Sequence, residues 1–168
     1  MKNHQFILIV IVFLTALTVF SSINKYKQPA VQTQAYTEEM DCLARNVYYE
    51  AGNEPFEGKL AVAQVTVNRA NNPNFPHKLC DVVYQRTYHK KRVVCQFSWT
   101  CDNVSPQKNW IRWQEARYIA TKVLTIGLTS DIIRNTNALY YHADYVEPGW
   151  NKHHVVTRIG HHIFYKDI

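Results

Sequence analysis

The segment PFEGKLAVAQVTVNRA, residues 55–70, restricts the fold more than any other stretch of the chain. Leu60, Ala61, Val62, Ala63, Val65 and Val67 carry apolar surface around nearly the whole circumference of a helix. A helix with no polar face is covered on all sides, so this one is predicted to lie at the centre of the domain. Pro55 suits its first turn, where a missing amide hydrogen costs nothing. The remaining elements must be arranged to cover it.

Upstream, Met40, Leu43, Ala44, Val47, Tyr48 and Ala51 recur at helical spacing, with Thr37, Glu38 and Glu39 as an expected capped, acidic start and Gly52 as a stop. Downstream, NNPNFP (71–76) reads as a loop, KLCDVVYQ (78–85) as a short helix and 86–94 as a basic loop. A long helix is predicted from about Asn109 to Ile126, with Trp110, Trp113, Ala116, Ala120, Val123 and Leu124 on one face and Gly127 closing it. The period then changes. ALYYHADYV and VVTRIGHHIFYK are β-rich and separated by the turn signal EPGW, which predicts a small C-terminal antiparallel β-hairpin. The fold class is α+β, mainly helical, with late strands. There is no internal repeat and no low-complexity region.

The 46% hydrophobic content of the 168 residues excludes global disorder and allows one domain beyond any targeting segment. A formal net charge of +6 favours polyanionic surroundings. The densest basic run, HKKR at 89–92, is short and reads as a solvated loop, so no nucleic-acid partner is expected. Lys2 and His4 precede the uncharged run Phe6–Phe20, which is short for a membrane span of about 20 residues and fits the apolar part of a secretory signal. Residues 1–22 are read as a signal peptide, with Val19-Phe20-Ser21 a tolerable cleavage site, or as a retained N-terminal membrane anchor. Residues 23–36 are read as a linker and 37–168 as the folded domain, exported in either case.

Export gives meaning to Cys42, Cys80, Cys95 and Cys101, an even number that predicts two disulfides. Of three connectivities, Cys95–Cys101 with Cys42–Cys80 is favoured: the first closes a short loop around QFSWT and the second staples the first helix to a later one. No C-x-x-C spacing supports a zinc site.

The stretch RNVYYEAGNEPFEGK (45–59) raises the question of chemistry, because Glu50 falls beside an apolar stripe near a helix C-terminus. Burial and the helix dipole both raise a carboxyl pKa there, which suits a general acid. The alternative is a structural carboxylate paired with Arg45, Lys59 or Arg69, or exposed at a fraying end. Glu54 and Glu57 read as structural, near the start of the second helix. In QFSWT, Gln96 and Ser98 alternate with Phe97 and Trp99, the mixture of amide, hydroxyl and aromatic groups that carbohydrate sites use. In ALYYHADYV, alternation puts Tyr141 on one face and Tyr140 with His142 on the other. The eight histidines include neither H-x-x-x-H nor H-E-x-x-H, so no metal and no other cofactor is expected.

Taken together, LARNVYYEAGNEPFEGKLAVAQVTVNR, FPHKLCDVVYQ, CQFSWTCD, ALYYHADYV and VVTRIGHHIFY resemble the SleB/CwlJ family of cell wall hydrolases, in that order and over about residues 40–165. The resemblance implies a lysozyme-like, lytic-transglycosylase-like helical domain acting on peptidoglycan; the sequence departs from the spore-enzyme pattern in lacking a separate peptidoglycan-binding repeat domain. It assigns the catalytic acid to the glutamate of YYEAGNEPFEG, Glu50, and sets the QFSW and YYHADYV blocks along the glycan groove; within them Gln96, Ser98, Trp99, Tyr141 and His142 are inferred as the substrate-binding residues. The expected reaction is cleavage of the β-1,4 bond between N-acetylmuramic acid and N-acetylglucosamine, by transglycosylation since no second catalytic carboxylate stands out. An N-acetylmuramoyl-L-alanine amidase and a non-catalytic wall-binding module are the alternatives. The expected partner is the peptidoglycan glycan strand, met by a monomer in the periplasm or cell envelope, with membrane attachment through residues 1–22 if that segment is retained.

Overall fold

The computed structural model describes residues 5, 11–15, 18, 30–102, 104, 108–149 and 154–166. The chain divides into two compact units, residues 1–36 and 37–168. Most of the expected signal or anchor, its cleavage site and residues 23–29 lie outside the described residues; 11–15 are helical. Among the described residues, no helix is long and apolar enough to cross a membrane.

Helix α1 spans Ala30–Ala51. It begins earlier than the expected Thr37 cap, because AVQTQAY holds no Gly or Pro to stop it and adding a residue to an existing helix is far easier than starting one. Helix α2, Phe56–Ala70, is the central element. One side of it contributes Leu60 and Ala63 to a helical core with Leu43, Ala44 and Val47 of α1 and Ala116, Ile119 and Ala120 further on. The other side presents Ala61, Val62 and Val65 to Ile133, Ala138, Ile159 and Phe164. A surface apolar on every side is thus shared between two cores. The short α3, Leu79–Val83, is tied to α1 by the Cys42–Cys80 disulfide, with Cα atoms 5.2 Å apart.

Helix α4 runs Trp110–Ile126. The side chain of Asn109 caps it by accepting from the Arg112 amide at 3.0 Å, and Gly127 ends it in the left-handed region at φ 65°. Its buried residues are Ala116, Ile119, Ala120 and Val123, whereas Trp110, expected on the packed face, is 69% exposed.

Residues 86–94, expected as a loop, contain a β-hairpin. Strands β1 (Arg86–His89) and β2 (Arg92–Cys95) pair antiparallel around a two-residue turn at Lys90-Lys91. The Cys95–Cys101 disulfide follows, its Cα atoms 5.9 Å apart, so all four cysteines are paired as expected. The late β-rich region forms three strands rather than a single hairpin: β3 (Tyr140–Ala143), β4 (Val155–Ile159) and β5 (His162–Tyr165), in the order β3-β5-β4, all neighbours antiparallel. VVTRIGHHIFYK is itself the hairpin, turning at Gly160-His161, and the YYHA strand joins the free edge of β5.

Candidate active site

Glu50 occupies the last turn of α1 and is half-buried. Tyr141, arriving on β3, donates its phenol hydrogen to Oε2 of Glu50 at 3.1 Å. The Tyr141 ring is fixed by His162, Phe164 and Phe97, with centroids 5.0, 5.7 and 6.5 Å away. Arg69 of α2 lies behind this pair, 3% exposed, its Nε donating to the Leu139 carbonyl at 2.6 Å. The guanidinium sits over the rings of Phe75, Phe97 and Tyr140 at 5.3–5.5 Å. Its Nη1 finds no hydrogen-bond partner among the described residues.

These surroundings set the protonation of the pair. Burial raises the Glu50 pKa; the Tyr141 hydrogen bond and then the Arg69 charge pull it back, and burial wins. The phenol of Tyr141 is pushed well above its ordinary value, by burial first and by the Glu50 charge second, so it stays a neutral donor. The structural alternatives for Glu50 are not realised. Arg45 pairs with Asp41 at 2.6 Å and Lys59 with Glu115 at 2.6 Å. No cation lies within ion-pair distance of Glu50 among the described residues.

Glu50 opens onto a cleft of about 560 Å³, a volume suited to one or two sugar rings. The α1 end and the loop to α2 supply Tyr48, Tyr49, Glu50, Gly52, Asn53 and Glu54 to its wall; Arg112 comes from α4, and Ala143, Tyr145, His161 and His162 from the sheet side. Glu54 is 8% exposed and accepts from the backbone N–H of His161 at 2.9 Å. The α2 N-cap residue, Pro55, makes no side-chain cap hydrogen bond, and Glu54 ties the β4–β5 turn to the cleft wall. Gly160 makes this approach possible, because its φ of 58° disfavours any other residue and an added Cβ would collide with Glu54 Oε2. Glu57 accepts from Ser130 Oγ at 2.7 Å, in line with a structural role. Burial lowers the His162 pKa, which keeps that ring uncharged near neutrality.

A family profile described as Cell Wall Hydrolase matches residues 53–165, two thirds of the chain. The chain belongs to the cell wall hydrolase family. The match begins three residues after Glu50, so it covers Glu54 and Tyr141 but not the carboxyl in the last turn of α1. Among curated relatives, the chain is 46% identical over 43 residues to the spore cortex-lytic enzyme of Bacillus subtilis (strain 168), and 40% identical over 53 residues to that of Oceanobacillus iheyensis. Those stretches are 26% and 31% of this chain but span only 14% and 19% of the two relatives. Among solved structures, the catalytic domain of the germination-specific lytic transglycosylase SleB from Bacillus anthracis superposes with a TM-score of 0.57 at 26% identity, over 76% of this chain and 93% of that one. The catalytic domain of the Bacillus cereus SleB protein, at 24% identity and TM-score 0.52 over 77% and 91%, shares the fold. The α+β, lysozyme-like expectation is met by these family structures.

Of the residues expected along the groove, Tyr141 is brought to Glu50 and the others are not. Trp99 is 8% exposed, its indole N–H donating to Asn46 Oδ1 at 3.2 Å. Asn46 in turn donates to Thr66 Oγ1 at 3.0 Å, completing a buried chain. The reason is local: Ser98–Thr100 forms a 3-10 turn rather than an extended strand, and both Phe97 and Trp99 point inward. Tyr49 stacks on Trp99 at 4.6 Å and itself faces the cleft, so Trp99 backs the wall instead of forming it. Gln96 and Ser98 are exposed but do not line the cleft. His142 lies on the opposite face of β3, stacked on Tyr165 at 5.4 Å, with Nε2 2.8 Å from the Tyr165 hydroxyl and Nδ1 2.8 Å from the Ala143 carbonyl. Arg112, Tyr145, His161 and His162 are cleft residues that the sequence reading did not single out. The only sequence signal for the last two is a histidine pair directly after a turn glycine.

Proposed function

We propose that this chain cleaves peptidoglycan glycan strands at the β-1,4 bond between N-acetylmuramic acid and N-acetylglucosamine, with Glu50 as the group that gives and takes the proton. The observation that carries the reading is a carboxyl on a sugar-sized cleft, raised in pKa by burial, without an ion pair among the described residues and fixed by one neutral donor. Membership of the cell wall hydrolase family and likeness to a lytic transglycosylase domain support the substrate.

Protonated Glu50 donates its hydrogen to the bridging oxygen as the bond from that oxygen to the muramic acid anomeric carbon breaks. The sugar passes through an oxocarbenium-like state. Tyr141 holds Oε2, which leaves Oε1 to carry the proton and stabilises the carboxylate once the proton has gone. The muramic acid C6 hydroxyl then attacks the anomeric carbon and returns a proton to Glu50, leaving a 1,6-anhydro end. Glu54, the other carboxylate in the cleft wall, is held by the His161 amide, which favours a positioning role over that of a free base for water. Export, with residues 1–22 as signal or anchor, belongs to the same proposal.

The deciding experiment incubates the full chain with purified peptidoglycan and weighs the released fragments by mass spectrometry. Anhydro ends, each lighter by one water than a reducing end, are expected. Reducing ends would replace transglycosylation by hydrolysis. Release of free peptides with intact glycan would replace the reading by an amidase, and tight adsorption with no release at all by a binding module.

A further inference from the structure

The β1–β2 hairpin takes no part in the cleft, yet it concentrates the chain's charge. Arg86, Lys90, Lys91 and Arg92 fall within seven residues, and there is no Asp or Glu between Val82 and Cys101. Without those four cations the formal net charge of +6 would fall to +2. Every residue from Arg86 to Val94 is exposed, and among the described residues no carboxylate pairs with this run. Two-stranded hairpins are marginal on their own, and this one is held at its base by the Cys95–Cys101 disulfide and the Gln96 N–H to Gln85 O hydrogen bond of 2.9 Å.

The turn adds a second, independent observation. Lys90 and Lys91 have φ of 47° and 67°, the left-handed pair that a tight hairpin turn requires. Asn-Gly meets that requirement with little strain, whereas lysine pays about 1 kcal/mol or more per position. Two lysines placed against backbone preference at an exposed turn mark a surface used for its charge. The charge is accompanied by apolar area: Tyr88, 81% exposed, pairs across the strands with Val93, 47% exposed. That combination fits a polymer bearing carboxylates along a sugar backbone better than it fits bare phosphate, because an aromatic face covers sugar C–H surface.

We infer that the β1–β2 hairpin is a docking element for the carboxylate-bearing peptidoglycan strand, separate from the cleft that cuts it. The inference rests on the proposed substrate and extends it to a second contact on the same polymer. Charge complementarity decides the occupant, and salt weakens such a contact over a Debye length of about 8–10 Å.

The test is co-sedimentation of the full chain with insoluble peptidoglycan stripped of attached polymers, in a Glu50→Gln background so that the polymer persists. Lys90→Asn with Lys91→Gly installs the preferred turn pair while removing two charges, so loss of fold is not a competing explanation. That variant is expected to bind about three- to tenfold more weakly at low salt, to lose less on salt addition, and to unfold no earlier than its parent. Lys90→Arg with Lys91→Arg is expected to bind as the parent does. Peptidoglycan whose carboxylates have been amidated is expected to hold parent and variant equally weakly. Undiminished binding of the Asn-Gly variant to native wall, or undiminished binding of the parent to amidated wall, overturns the inference. Turnover of a short soluble glycan, measured with Glu50 restored, is expected to be unchanged by the Asn-Gly pair. Failure of Glu50 chemistry would appear there and leave the sedimentation result standing.

Discussion

The phenol of Tyr141 and the carboxyl of Glu50 meet at 3.1 Å across 91 residues of chain, one on the first strand of the C-terminal sheet and the other at the end of α1. A neutral donor that cannot ionise in the working range holds a carboxyl that burial keeps protonated to higher pH than usual. Proton transfer needs both properties: a group that keeps its hydrogen until the substrate asks for it, and a neighbour that steadies the charge left behind.

Replacing Tyr141 with Phe removes the donor and leaves the ring. Since that hydrogen bond lowers the Glu50 pKa, its loss moves the pKa further up. The alkaline limb of the pH–rate profile for peptidoglycan cleavage is expected to shift to higher pH. The maximal rate should fall about ten- to a hundredfold, the loss expected for a hydrogen bond to a charged group. A profile unchanged in position would separate Tyr141 from the proton.

Glu50→Gln keeps an acceptor for Tyr141 and abolishes the proton donor. Cleavage should drop by about 10²–10⁴-fold, measured as release of soluble fragments. Stability should move the other way. The folded chain holds the Glu50 proton to higher pH than the unfolded chain, so wild-type stability falls as pH rises from the ordinary glutamate pKa through the raised one. The amide escapes that penalty. Its unfolding midpoint is expected to exceed wild type near neutrality and to converge with it under acid conditions.

Trp99→Phe tests the interior role of the indole. It strands Asn46 Oδ1 in a buried position, and a loss of about 1–3 kcal/mol in chemical denaturation is expected. Trp99→Ala should cost about 3–5 kcal/mol. Binding of glycan to the folded Phe variant should change little, because the Tyr49 ring and not the Trp99 ring is exposed to the cleft.

The disulfides are separable by size. Removing Cys42–Cys80, which spans 38 residues, should cost about 4 kcal/mol on the chain-entropy account, and removing Cys95–Cys101, which spans six, about 2 kcal/mol. Thiol titration of the denatured, oxidised chain is expected to find no free cysteine.

Much of this was readable from local pattern. The central helix declared itself by apolar residues on every side, and α4 by Asn109 at its start and Gly127 at its end, because helix ends are set by residues next to them. What escaped depends on distant partners or unusual turns. Glu54 looks like a helix cap until His161, 107 residues later, supplies the amide it accepts from. The β1–β2 hairpin was invisible because Lys-Lys is not the residue pair that announces a two-residue turn. The resemblance of the QFSW block sets Trp99 beside the groove, but a single 3-10 turn at Ser98–Thr100 points its indole inward instead. Glu50 was legible as a carboxyl in an apolar setting; that its partner is Tyr141 rather than an arginine required the sheet.

The separations at the cleft also bear on how the molecule is made. A ribosome releases Glu50 and Glu54 early, but Tyr141 and the His161 amide emerge 91 and 107 residues after their respective partners. Until those strands fold back, a nascent chain carries the Glu50 carboxyl with neither the Tyr141 donor beside it nor the turn that walls the cleft. A copy stopped before β5 would keep most of its helices and lack the assembled cleft.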